Sequence, residues 1–451
     1  MLDKRAIETS EQVRNACIDD IAAIDEGAVV VSSVAGAGKS HLISTIAGRL
    51  LDDGKTMAIT CFTNEQAQGL VRSIALMHPK KQLGYMPAST VVVPPEISAL
   101  SNVTVIAGSD ADHHQAVIGT SDKLADAATR DGFDDERDYL LYDEAYQADA
   151  ARYYGVAGIG RAHLLVGDAG QLDPFSSARQ AERWRGLQED PVQGAIPMLL
   201  RNHPDTEDRH HHLKVTRRLD ARGAAVASAF YPVHGMDAVV PEGVRALGLS
   251  KGRKGAADSI LNHAASAGWA YVVLPRAPVT VDDPAIALMI VGLAERILER
   301  SPRVRSEPAG GKGKQPERDA TQHDLAIAVS HNSQKQRVRA LLDRANLGGV
   351  MCDTANRLQG LQFEVVLAWH PLAGLPDSDP FHLDPGRLAV MLTRHRHACI
   401  IVGRASDRDL IVGIPPATPT FVGIPGDPVL DGFDAHRALF DRLDTHRFDI
   451  S

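Results

Sequence analysis

The chain has 451 residues, 44% of them hydrophobic, with 48 Lys and Arg against 57 Asp and Glu and a formal net charge of −9. That length predicts two or three domains of roughly 150 residues, and the acidic balance excludes a basic nucleic-acid coat, so a nucleic-acid partner must be met by a local basic surface. Cys17, Cys61, Cys352 and Cys399 stand far apart without CxxC spacing, which supports neither a zinc ribbon nor a disulfide framework and fits a reduced, cytoplasmic setting.

Residues 1–10 are charged, so no secretory signal is expected there. Short β-branched runs then alternate with longer amphipathic stretches, the pattern of α/β layers around parallel sheets. Strands are predicted over 28–33, 56–61, 117–119, 139–142 and 163–166, and in a second series over 270–274, 325–330, 364–368 and 399–402. Two α/β halves follow, residues 1–205 and 206–451, divided near the polar, His-rich stretch 205–212. In the first half the Pro-rich stretch with Lys80 and Lys81, about 77–115, reads as a small insertion. In the second, 301–324, with Pro302, Pro308, Gly310, Gly311, Gly313 and Pro316 among mixed charges, reads as a flexible insertion that cannot bury enough apolar surface to order itself. The apolar run 285–294 follows the helix-start signature Asp283-Pro284 and ends at Glu295. It is a core helix, well short of the roughly 20 residues that span a membrane, and no membrane partner is expected.

Directly after the first strand comes Ser33-Val34-Ala35-Gly36-Ala37-Gly38-Lys39-Ser40, then an apolar helical pattern. Strand, glycine-containing loop, Lys-Ser and helix form the context of a phosphate-binding loop. Gly36, Ala37 and Gly38 would let backbone N–H groups close around a β-phosphate, Lys39 would reach the β- and γ-phosphates, and the Ser40 hydroxyl would ligate Mg²⁺. Ser33 stands where the general pattern has glycine. The strand 139–142 runs into Asp143-Glu144, at the sheet edge where a doubly wound fold holds its ligand. Asp143 is the candidate Mg²⁺ carboxylate and Glu144 the candidate base for an attacking water. The strand 163–166 leads into Gly167-Asp168-Ala169-Gly170-Gln171-Leu172-Asp173-Pro174. There the neutral amide of Gln171 can contact a γ-phosphate or the water without competing for protons.

In this order the elements resemble those of the superfamily 1 helicases: GAGKS at 36–40, Thr63-Asn64, GTSDKL at 119–124, DEAYQ at 143–147 and GDxxQLxP at 167–174. The second half continues the match. Residues 213–218 with Ser228, Phe230 and Tyr231 resemble the arginine-bearing motif of the branch related to the nonsense-mediated-decay helicase, and SHNSQKQ at 330–336 resembles the strand-to-helix segment that follows. Residues 354–363, ending QGLQF, resemble the UvrD-like KGLEF motif, and 390–394 with Ile401-Val402-Gly403 the final arginine motif. The resemblance implies two tandem RecA-like domains with ATP and Mg²⁺ in the cleft between them, and translocation or unwinding on single-stranded nucleic acid, DNA before RNA. It implies Arg218 and Arg394 as transition-state cations, and Gly360 with Gln362 as a ribose contact, Gln362 standing where the family has glutamate. Gln12 resembles an adenine-reading glutamine, or is a polar helix residue. Thr63, Asn64, Thr120, Ser121, Lys123 and Thr354 would hold successive phosphates of the strand, each being otherwise a helix-cap or turn residue. A motor that serves a nuclease partner without unwinding, and a non-motor regulatory module, are the rival readings.

The His pairs and runs at 113–114, 210–212 and 395–397 lack ligand spacing for a metal and read as solvated loops, with Arg396 a possible nucleic-acid contact. With aromatics at 5%, base stacking would rest on one or two residues such as Tyr146 or Trp369.

Overall fold

The computed structural model describes residues 2–130, 133, 136–170, 193–277, 281–308, 313–414 and 431–450. The predicted α/β layering is present as two parallel sheets flanked by helices. The first sheet is built from β1 (Gly27–Ser33), β2 (Met57–Cys61), β3 (Leu83–Met86), β4 (Val103–Val105), β5 (Ala116–Thr120), β6 (Arg137–Asp143), β7 (Gly160–Asp168) and β8 (His210–Leu213). Its order is β4-β3-β5-β2-β6-β7-β1-β8, with every pair parallel. The central strands are apolar on both faces because helices cover both. Val29, Ile59, Leu141 and Leu164 pack into one core and their neighbours Val30, Ala58, Leu140 and Leu165 into the other. Helices α1 (Lys4–Ala23), α2 (Lys39–Asp52) and α3 (Asn64–Met77) open the chain around this sheet.

The stretch 77–115, read from the sequence as a small insertion, is continuous with the sheet. It supplies β3 and β4, the sheet's edge, with all four residues of β3 buried. The Asn102 amide ties it down by donating to the carbonyls of Ala75, His78 and Lys81 at 3.1–3.2 Å. Likewise 210–212 is not a solvated loop but the first three residues of β8, paired to β1. The first sheet therefore extends to Leu213 rather than ending before residue 206.

A short parallel pair, β9 (Val215–Asp220) with β10 (Asp237–Val240), leads into the second half. There β11 (Ala246–Gly248), β13 (Arg303–Arg305) and β14 (Glu317–Asp319) form a small antiparallel sheet. The parallel sheet consists of β12 (Trp269–Leu274), β15 (Leu325–Val329), β16 (Met351–Thr354), β17 (Phe363–Trp369), β18 (His395–Arg404) and β19 (Arg447–Asp449), ordered β16-β15-β17-β18-β12-β19. Within the stretch 301–324, expected to be flexible, residues 303–305 and 317–319 form two strands whose side chains pair, Arg303 with Glu317 and Asp319 at 3.4 and 3.3 Å; residues 309–312, with Gly310 and Gly311, lie outside the described residues. His395 and His397 lie buried on β18, not in a loop, and Trp369 is fully buried on β17, so it offers no stacking surface. Among the described residues no helix is long and apolar enough to cross a membrane.

Candidate active site

The turn from β1 to α2 takes its shape from two glycines in the left-handed region, Gly36 at φ 77° and Gly38 at φ 88°. A side chain at Gly36 would collide with the Cβ of Arg218, and one at Gly38 would stand 2.5 Å from the Arg14 guanidinium. At Gly36 conformation and space both demand glycine; at Gly38 the conformation does, since the near atoms are the far end of the Arg14 side chain. Ser33, the departure from the loop pattern, is buried and donates to the Gly167 carbonyl at 2.9 Å, stitching β1 to β7. The loop is also gripped from the start of the second half. Thr216 Oγ1 donates to Ala35 O at 2.8 Å, the Arg217 N–H to Gly36 O at 2.9 Å, and the Ala35 N–H to the Tyr231 hydroxyl at 2.9 Å. Helix α2 starts at Lys39 behind Gly38, which gives no side-chain cap. The first-turn N–H groups and the helix dipole there favour an anion.

Asp143 ends β6 with Glu144 directly after it, and Asp168 ends β7, its neighbour in the sheet. The Lys39 ammonium lies 3.3 Å from Glu144. Burial works against that ammonium, yet Glu144, Asp168 and Asp143 together hold its pKa above the usual lysine value. Burial raises the carboxyls of Asp143 and Asp168; Glu144 adds to the rise at both, while Lys39 opposes it. Tyr231 donates to Asp168 at 3.0 Å. Glu144 adopts φ 57°, a conformation rare for a residue with a side chain and one that strains the backbone where the two acids meet.

The second half closes the cluster. Arg218 on β9 donates through Nη1 to the Thr393 carbonyl at 3.1 Å, beside Arg394, which is itself 1% exposed. Burial first, and then Arg394, lower Arg218 to about 9. Burial lowers Arg394, against the pull of Asp168 and Glu144. Arg218 Nε and Arg394 Nη2 are buried without a hydrogen-bond partner among the described residues. Buried guanidinium donors left unsatisfied are costly unless an anion meets them. Phosphate oxygens fit these donors, and the hard oxygens of Ser40 and Asp143 suit Mg²⁺. The arrangement can thus bind a polyphosphate, deprotonate a water at Glu144 and neutralise charge on a transferring group.

Of the sequence-predicted residues, Gly36, Ala37, Gly38, Lys39, Ser40, Asp143, Glu144, Arg218 and Arg394 come together here. Gln171 lies outside the described residues. Gln12 is exposed and does not line the cavity of about 490 Å³ beside Gly38, which is formed by Glu11, Arg14, Asn15, His41, Thr45 and Arg217 among others. The buried face of α1 carries Ala6, Ser10, Arg14, Cys17 and Ile21; at about 100° per residue Gln12 points away from it. Arg14 donates to Ala37 O at 2.6 Å. Gly360, at φ 81°, and the exposed Gln362 lie just before β17, one residue from the Phe363 N–H that donates to Arg394 O at 2.9 Å.

The candidate strand contacts sit at the C-terminal ends of β2, β5 and β16, and several are also caps. Thr63 closes a capping box on α3 with Gln66, and Thr120 accepts from the Lys123 N–H at 3.3 Å. Asn64 Oδ1 accepts from the Ala88 N–H at 3.4 Å, Ser121 is 2% exposed, Lys123 pairs with Asp126 at 3.7 Å, and Thr354 starts the turn after β16 without a side-chain cap bond. The sequence reading assigned no role to Arg14, Asp168 or Tyr231. The period of buried positions along α1 points to the first, and the strand-end position of Asp168 matches that of Asp143.

No family model matches the chain, and no curated protein matches it. Similar solved structures include the PRRSV helicase, at 13% identity and a TM-score of 0.41, covering 86% of this chain and 54% of that one. The Arterivirus nonstructural protein 10 helicase is similar at 14% identity and a TM-score of 0.42, over 88% of this chain and 64% of that one, both by itself and in its complex with DNA. This chain thus spans less than two thirds of the length of the structures it matches.

Proposed function

We propose that the chain is an ATP-hydrolysing motor of the superfamily 1 helicase type that moves along single-stranded nucleic acid, DNA before RNA. The observation that supports this reading is the meeting of Lys39, Asp143 and Glu144 from the first sheet with Arg218 and Arg394 from the second half in one desolvated cluster. Lys39 and the start of α2 bind the phosphates, and Ser40 and Asp143 hold Mg²⁺, which supplies charge neutralisation at the phosphate oxygens. Glu144 takes the proton of the attacking water; Arg218 and Arg394 stabilise the charge that develops on the phosphoryl group.

Because the cations come from a different half than the base, the cleft must be closed for turnover and is released once the phosphate leaves. That coupling converts hydrolysis into relative movement of two surfaces that hold a strand. The test is steady-state ATPase of the purified chain with and without single-stranded DNA and RNA. A rate raised at least tenfold by a single strand supports a motor, and a rate indifferent to nucleic acid contradicts one.

A further inference from the structure

We propose that Glu307 is a positioning residue that sets the register between Arg218 and Arg394, so that the small sheet β11-β13-β14 is part of the hydrolytic apparatus; this rests on the ATP-hydrolysing reading above. Glu307 lies two residues beyond β13. Its carboxylate holds Arg245 in a fork, Oε2 to Nε and Oε1 to Nη2, each at 2.6 Å. The Arg245 side chain is wholly buried, and its remaining donors go to the main chain of β9: Nη2 to the Arg217 carbonyl at 3.0 Å and Nη1 to the carbonyl of Arg218 itself. On its other side Glu307 Oε1 meets Arg396 Nη2 at 3.3 Å. Arg396 stands on β18, two residues past Arg394. One carboxylate therefore fastens the backbone of one candidate cation and the strand that follows the other.

The surroundings reinforce the tie. Arg396 also reaches Glu364 at 3.8 Å, His397 stands 2.8 Å from the same carboxylate, and His397 Nε2 bonds the Arg305 carbonyl at 3.0 Å. So the end of β13 is pinned to β18 at two points, the Arg305 carbonyl and the Glu307 carboxylate. A forked, charge-assisted pair fixes orientation as well as distance, which a single point contact does not. Among the described residues Arg245 meets no carboxylate but Glu307, so its own pose depends on Glu307. Among the described residues no hydrogen bond joins Glu307 to Lys39, Asp143 or Glu144; its effect on chemistry runs through the placement of the two arginines. A misplacement of about 1 Å at such a group costs up to about 10²-fold in rate.

The experiment measures kcat and KM for ATP, saturated with single-stranded DNA, in wild type, Glu307→Gln, Arg218→Ala and the double variant. Glutamine keeps the shape and one acceptor but removes the charge that forks Arg245. The expected result is a kcat at least tenfold below wild type with KM within threefold, and a double variant slower than Arg218→Ala alone by a smaller factor than Glu307→Gln shows in wild type, because the share of the effect that runs through Arg218 is already gone while the share through Arg394 remains. A purely structural role predicts losses that multiply in the double variant. A loss smaller than tenfold, a larger KM change, or multiplying losses overturns the proposal. Should Glu307→Gln fail to fold, Glu307→Asp, which keeps the charge and shortens the reach, is read by the same criteria. No turnover in wild type overturns the functional reading itself and this inference with it, whereas wild-type turnover that Lys39→Ala abolishes keeps the two outcomes apart.

Discussion

The Lys39 ammonium and the Glu144 carboxylate stand 3.3 Å apart, each little exposed, so the candidate phosphate ligand and the candidate base are partners of one another. In the proposed reaction a γ-phosphate takes Lys39 for itself and leaves Glu144 free to accept a proton from water.

Glu144→Gln is expected to bind ATP and Mg²⁺ but to hydrolyse at least about 10²-fold more slowly, because the amide cannot take the proton while Asp143 still serves the metal. Titration with a fluorescent ATP analogue, alongside single-turnover hydrolysis, checks it. Loss of nucleotide binding would show that the roles of the two acids have been exchanged.

Arg394→Ala is expected to lower turnover by about 10³-fold, or about 4 kcal/mol of transition-state stabilisation, with Arg394→Lys no better, since lysine lacks the planar fork. Arg394 Nε is held by the Val390 carbonyl at 3.0 Å while Nη2 has no hydrogen-bond partner among the described residues. One end is thereby anchored and the other free for an anion. Turnover within tenfold of wild type in a folded Arg394→Ala protein contradicts the assignment.

Gly36→Ala and Gly54→Ala separate strain from collision. Both glycines have positive φ, at 77° and 74°, but only at Gly36 would the added carbon strike neighbours, Arg218 and Thr216; at Gly54 nothing lies within 4 Å. Gly54→Ala should cost only the backbone penalty, about 1–2 kcal/mol, and leave turnover intact. Gly36→Ala should cost more and abolish turnover, because β9 must move off the loop. Melting curves and ATPase rates of the two variants provide the comparison.

Strands with apolar runs were legible because parallel strands covered on both faces admit little else: residues 28–33 and 139–142 stand as β1 and β6, the first extended by one residue at its start, the second by two at its start and one at its end. The four-residue β3, with a glycine inside it, and β8, three of whose four residues are histidine, carry no such run. Their place is decided by pairing with β5 and β1. In the site, Lys39, Asp143 and Glu144 were legible because each lies within a few residues of a strand end. The partnership of Arg245 with Glu307 joins residues 62 apart in the chain and no local pattern encodes it. Gln12 lies on the exposed face of α1, which its spacing from the loop does not encode, since spacing says nothing of the face on which a helix presents a residue.

The Glu307 carboxyl should give a signature in the pH dependence of stability. Burial alone would raise it, but Arg245, with help from Arg396, brings it down from 4.5 to about 2. A depressed folded-state value means that its stabilisation is present above pH 4.5 and is lost as pH falls from there towards 2. With its side chain 23% exposed, and allowing for solvent screening, the contribution is about 1–2 kcal/mol. Melting temperatures of wild type and Glu307→Gln should therefore differ at pH 7 and converge as pH falls below about 4. A gap that stays constant down to pH 2.5 contradicts the pairing.

The most direct measurement for the whole account is the ATPase rate of wild type and Lys39→Ala, each with and without single-stranded DNA. The cluster of Lys39, Glu144, Arg218 and Arg394 predicts hydrolysis in wild type that a single strand accelerates at least tenfold, and none above background in a folded Lys39→Ala protein, whose loop is still shaped by Gly36, Gly38 and the Tyr231 hydroxyl. Wild-type hydrolysis in Lys39→Ala, or a rate that single-stranded DNA leaves unchanged, would contradict it.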